Sequence, residues 1–92
     1  MMEKIVYKQY PHIEEQQFEE DVLLMHPEHR TVIMLNAAGW LIWTLLAKPR
    51  SCAELIAFYQ RSFPSHLLSD IQQAVEQLLV ELLHAKLIQN IS

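Results

Sequence analysis

The hydrophobic period of the chain changes at Asn36, and that change restricts the fold to a sheet followed by helices. Before it, Val22-Leu23-Leu24-Met25 and Thr31-Val32-Ile33-Met34-Leu35 are short apolar runs of strand-forming residues, separated by His26-Pro27-Glu28-His29-Arg30. The proline marks a turn, so the two runs read as an antiparallel hairpin. His12 to Gln17, after Pro11, reads as a third and more polar strand. From Asn36 the apolar residues recur at helical spacing. Asn36 is a good N-cap for a first helix over Ala37 to Leu46, with Trp40, Trp43 and Leu46 on one face, and Pro49 stops it. Ser51-Cys52-Ala53-Glu54 is a capping box that opens a second helix running to Arg61. Leu55, Phe58, Tyr59 and Phe63 are its expected buried side, and Pro64 ends it. A third helix follows from Leu67 to His84. The expected class is α+β, a three-stranded antiparallel sheet and then three helices.

Composition excludes most other kinds of protein. At 92 residues, 51% of them hydrophobic, the chain fits one domain, 1–92, with no room for a second. The single Cys52 excludes a disulfide scaffold. One glycine leaves no glycine-rich phosphate loop and no G-x-S-x-G elbow. Seven bases against eleven acids give a net charge of −4, which does not favour nucleic acid or anionic lipid. All of that charge lies in residues 1–30, where Glu3, Glu14, Glu15, Glu19, Glu20, Asp21 and Glu28 face only Lys4, Lys8 and Arg30. Met1 to Lys8 lacks the apolar stretch of a secretory signal, and the longest apolar stretch, Ala37 to Ala47, is too short to span a bilayer. A cytoplasmic interaction module without a membrane segment is the expectation.

The third helix carries more apolar surface than one core needs. At about 100° per residue, Ile71, Val75, Leu78 and Leu82 form a stripe, flanked by Leu67, Ala74 and Ala85 on one side and by Leu68, Leu79 and Leu83 on the other. The arc approaches half the circumference, against somewhat over ~100° for a helix on a single core. Either the domain wraps this helix on two sides, or one margin lies in a second groove. The run from Thr31 to Leu35 raises the same question, because a strand with one wet face should alternate. Something is expected to cover Val32 and Met34.

These elements and residues resemble the PqqD family, named for a pyrroloquinoline quinone biosynthesis protein, whose members are also called peptide-recognition elements. The resemblance rests on Leu35-Asn36 closing the third strand, Ile42-Trp43 with Leu45-Leu46, and Ser51-x-x-Glu54-Leu55. It continues through Tyr59, Phe63, Leu78-Leu79-x-x-Leu82 and Leu87-Ile88, with Pro11-His12-Ile13 at the entry to the first strand, and so spans about residues 11–88. The chain departs from the pattern at Gly39, usually Ala; at Ala47-Lys48, usually Asp-Gly; and at Lys86, usually Gly. It also has Ala74 before Val75 where the family commonly places Asp, so a charge contact made by that Asp does not carry over.

The resemblance implies a winged-helix-like domain that is not itself an enzyme and needs no cofactor. Such a domain binds the leader segment of a ribosomally made precursor peptide and presents it to a modifying enzyme: a radical SAM enzyme, a leader peptidase with a cyclase, or another tailoring enzyme. The leader adds to the edge of the third strand and rests on the third helix. Open strand edges and apolar pockets suit that task on physical grounds. The expected peptide-binding residues are Thr31, Val32, Ile33 and Met34 on the strand and Leu68, Ile71, Gln72 and Val75 on the helix. Met1 and the full motif set point to a free-standing protein.

Other readings are weaker. A winged-helix DNA-binding regulator would send its third helix into the major groove, yet Leu67 to Leu83 holds Asp70, Glu76 and Glu81 and no Lys or Arg. A dimerisation or scaffold module, a homodimer through the open strand edge or the broad helix face, is the other alternative. His26 and His29 supply two of the three or four ligands a metal would need, so a polar turn is the expected role. His66 and His84 fall near the two ends of the third helix, and no partner is evident for either. Cys52 has no matching His and acid, and reads as a small helix residue. Trp40 and Trp43 read as core, and the acids from Glu14 to Asp21 as a solvated strand rim able to attract a basic partner.

Overall fold

Two three-stranded sheets and three helices make up the chain in a computed structural model that describes residues 4–91. The elements are β1 (Val6–Gln9), β2 (Glu14–Phe18), β3 (Asp21–Met25), β4 (Val32–Leu35), α1 (Ala37–Leu45), β5 (Arg50–Ser51), α2 (Cys52–Ser62), α3 (Leu68–His84) and β6 (Ile88–Asn90). The Met1 start and Glu3 of the acidic segment lie outside the described residues. The α+β class is as expected, and no helix among the described residues is long and apolar enough to cross a membrane.

The sheet read from the sequence is β2-β3-β4, antiparallel throughout. Its first strand begins at Glu14 rather than His12, which takes a left-handed backbone with φ 66° in the preceding turn. A two-residue turn joins β2 to β3, with Glu19 at φ 59° in a position that favours glycine. Between β3 and β4, His26 Nδ1 accepts the backbone N–H groups of Glu28 and His29, each at 3.1 Å. The H-x-x-H pair thus shapes the turn.

The second sheet, β5-β1-β6, was not foreseen. β1 pairs antiparallel with β5 through Val6↔Ser51 and with β6 through Tyr7↔Asn90. It ties both ends of the described chain to the entry of α2.

Each helix is bounded by recognisable local chemistry. Asn36 Oδ1 accepts the Gly39 N–H at 2.9 Å to start α1, and Ser51 and Glu54 form the reciprocal capping box of α2. A Cβ on Gly39 would lie 3.1 Å from Leu35 Cδ2, so the missing side chain lets α1 close tightly on β4. The turn after α1 uses the Ala47 and Lys48 N–H groups bonded back to Thr44 and Leu45, without a left-handed residue. Helix α3 ends in a Schellman motif: Leu87 N–H donates to Leu82 C=O at 2.9 Å and Lys86 N–H to Leu83 C=O at 3.1 Å. Lys86 sits at φ 63°, the conformation that explains why glycine is usual there.

The core lies between the inner face of β2-β3-β4 and the three helices, and centres on Leu24, Leu35, Ile42, Trp43, Leu46, Leu55, Ile71 and Leu82. Two expectations need correction. Phe58 is not part of it, because its ring lies between the guanidiniums of Arg50 and Arg61, 5.1 and 5.4 Å from the ring centre, while Ile56 packs on the core instead. Glu15 is not simply a solvated rim residue, since its Oε2 accepts the Nε1–H of the buried Trp43 at 2.7 Å. Trp40 packs against the core while remaining partly exposed.

Candidate functional site

Strand β4 ends its sheet, so among the described residues one of its edges has no neighbouring strand. Thr31 C=O accepts the His26 N–H at 3.0 Å, which makes Thr31 and His26 a hydrogen-bonded pair in the continued register. Pairs alternate along an antiparallel ladder, so Ile33 and Leu35 point their backbone groups at β3. The N–H and C=O of Val32 and Met34 therefore face the open edge. Side chains alternate as well. Leu35 is buried and Ile33 half-buried against the core, whereas Val32 and Met34 are 51% and 49% exposed. Among the described residues nothing covers their exposed halves, and the near-continuous apolar character of the strand divides into an inner face for folding and an outer face left largely free.

Beside the edge runs a groove between β4 and the second half of α3. Its first part, about 440 Å³, is lined by Met34, Leu35 and Asn36, by Ala38, Gly39 and Ile42 of α1, and by Ala74, Val75, Gln77, Leu78 and Glu81 of α3, with Asp21 and Tyr59 at its margins. The second part, about 460 Å³, lies between Thr31, Val32 and Ile33 on one wall and Val80, Glu81, His84 and Ala85 on the other. The Thr31 hydroxyl donates to the Ala85 C=O and fastens the start of β4 to the end of α3.

The strand residues expected in a binding site all reach this groove, and the helix residues divide. Val75 lines the first part from within the core, at 1% exposure. Ile71, also 1% exposed, is core and reaches neither part, and the exposed Leu68 and Gln72 stand outside both. The face of α3 that meets β4 instead runs through Ala74, Leu78, Glu81 and Ala85. That margin carries two alanines, whose small side chains leave room for a groove. The sequence reading missed Gln77, Leu78, Val80, Glu81 and His84 as lining residues, together with Asp21 from β3.

The remaining polar groups have structural work. Burial, and to a lesser extent the nearby Glu76 carboxylate, push the Cys52 thiol up, which disfavours the reactive thiolate. Backbone hydrogen bonding from Ser51 holds the Glu54 carboxyl below its ordinary value, with Lys4 3.3 Å away adding to the effect. His66 stacks on Phe63 at 5.3 Å, next to Tyr59. Among the described residues no three His, Cys, Asp or Glu side chains group so as to hold a metal ion. What the groove offers is a row of backbone hydrogen-bonding groups beside a trough that is apolar in its Thr31 part and mixed polar and apolar in its Leu35 part, an arrangement suited to an extended chain.

The sequence has no match among curated proteins. The fold matches a solved structure described as TbiB1 in complex with the TbiA(beta) leader peptide, with a TM-score of 0.75 over 92% of this chain and 98% of that one, at 20% sequence identity. The family model described as coenzyme PQQ synthesis protein D (PqqD) matches residues 21–88, from the start of β3 to the start of β6. That span takes in the open strand, all three helices and the groove between them, and the chain belongs to the PqqD family.

Proposed function

We propose that this protein binds the leader segment of a ribosomally made precursor peptide as an added strand on β4, resting on α3, and presents it to a peptide-modifying enzyme. The observation that carries this reading is the open β4 edge, toward which the Val32 and Met34 backbone groups point, beside a groove lined from Thr31 to Asn36. Membership of the PqqD family supports it, and so does the fold shared with TbiB1, a protein whose structure holds a leader peptide. The peptide-binding residues are Thr31, Val32, Ile33 and Met34 with Ala74, Val75, Leu78, Glu81 and Ala85. The domain supplies recognition, and its partner enzyme supplies the chemistry.

Proline at position 32 is a direct test. It removes an N–H that faces the open edge and leaves the β3-β4 ladder intact, so the fold should survive. Loss of one backbone hydrogen bond, together with the ring placed where the peptide must approach, should weaken binding of a fluorescently labelled leader about tenfold. Circular dichroism verifies the helices. Unchanged affinity in a folded Val32→Pro variant would refute strand addition. Self-association through the same edge, the competing use, would be disclosed by peptide-dependent dissociation of a dimer in analytical ultracentrifugation.

A further inference from the structure

The groove has a charge pattern that its role as a peptide site leaves unexplained. Asp21 and Glu81 both line the part beside Leu35, and Glu81 lines the Thr31 part as well. No lysine or arginine lines either part, and among the described residues neither carboxylate has an ion-pair partner. At the opposite end the residues next to Thr31 and Ala85 are Arg30 and Lys86, both exposed. Glu81 thus stands where the two parts meet, and Arg30 and Lys86 flank the Thr31 part without lining it. Met34 on the strand and Leu78 on the helix give the Leu35 part an apolar strip, beside the polar Asn36 and Gln77.

We infer that the segment bound in this groove carries a lysine or arginine that enters the Leu35 end, its stem against Met34 and Leu78 and its charge between Asp21 and Glu81. The inference rests on the strand-addition reading above and specifies the ligand that reading requires. Long basic side chains bury their methylene stems on apolar surface while the head stays with carboxylates at the rim, which is the shape of this end of the groove. Charge therefore selects a residue type for the bound strand. On an added strand, side chains on one face recur every two residues, a step of about 6.6 Å, so residues flanking the basic one by two also face α3. The apolar trough formed by Val32, Ile33, Val80 and Ala85 suits an aliphatic or aromatic side chain there.

Selection from a random peptide library displayed on phage supplies the probe, and synthetic copies of the selected peptides supply the measurement. The expected result is enrichment of lysine or arginine at one position. Replacing that residue by norleucine should weaken binding to the wild-type protein about fivefold, the size of a partly solvated ion pair. The same replacement should leave affinity for Glu81→Gln unchanged, and the penalty should shrink at about 0.5 M salt. Glu81 is exposed, so its variant should fold; Asp21→Asn provides a second, independent loss. Peptides whose binding is abolished by Val32→Pro, yet which show no basic preference or an equal norleucine penalty in Glu81→Gln, would overturn the inference while leaving strand addition standing. Peptides insensitive to Val32→Pro, or a selection that yields none, would overturn both.

Discussion

Lys86→Gly should make the protein more stable, although it removes a side chain and adds flexibility. Lys86 follows the end of α3 at φ 63°, and its N–H and that of Leu87 close the Schellman motif onto Leu83 and Leu82. A residue with a Cβ in this left-handed region bears about 1–2 kcal/mol of steric cost that glycine does not. Glycine gives back part of that gain, about 0.5–1 kcal/mol, through greater freedom in the unfolded chain. The Lys86 side chain is exposed and makes no ion pair among the described residues, so losing it should cost little. Taken around the middle of the two ranges, the net expectation is about 0.5–1 kcal/mol of added stability. For a domain of this size that is a rise in Tm of about 2–8 °C, measured by thermal denaturation followed by circular dichroism. Lys86→Ala is the control, since it shortens the side chain and keeps the Cβ, and its Tm should stay near that of the wild type. An unchanged or lower Tm for Lys86→Gly would refute the reasoning, and an equal rise for Lys86→Ala would trace the effect to the lysine's charge or length instead.

The remaining predictions concern polar contacts. Glu15→Ala leaves the Nε1–H of the buried Trp43 without its partner and should cost about 1–3 kcal/mol in urea denaturation, while Glu14→Ala, on the same exposed strand, should stay within about 0.5 kcal/mol. Equal effects of the two would show that the indole bond contributes nothing. The Glu54 carboxyl is held below its ordinary value of 4.5, so its contribution to stability is complete above that pH and is lost as pH falls through its lowered value in the folded protein. Glu54→Gln should therefore be less stable than wild type near neutrality and converge with it in acid; a constant difference across the acid range would contradict the assignment.

Much of this architecture is legible in local sequence, because local chemistry determines it. Asn36, the Ser51 and Glu54 box, and Pro64 each act on backbone groups within a few residues, and each bounds its helix as expected. The second sheet has no such signature. Val6–Gln9 is four residues long, and its partners, Arg50-Ser51 and Ile88–Asn90, are too short and too distant in the chain to announce a pairing. The groove was half legible. The apolar surplus on Thr31 to Leu35 and the wide arc of α3 both pointed to a surface beyond the core, and the structure leaves Val32 and Met34 free. The margin of α3 that faces them was not legible, since the two flanks are similarly apolar and packing alone turns Ala74 and Ala85, rather than Leu68, toward the strand. Phe58 and Glu15 misled for a related reason. An aromatic at helical spacing reads as core until two arginines claim its faces, and an acid in an acidic run reads as solvated until a buried indole reaches it.

The central claim is that β4 and the second half of α3 together receive an extended peptide. Titrating the isotopically labelled protein with the leader of any short precursor encoded nearby, and following backbone amide shifts, tests it residue by residue. The account predicts saturable shifts concentrated in Thr31–Leu35 and Ala74–Ala85, with β1, β5 and β6 unmoved. Saturable shifts centred on Leu68 and Gln72, on the second sheet, or on α2 would contradict it, as would the absence of any shift at high micromolar peptide with the fold intact.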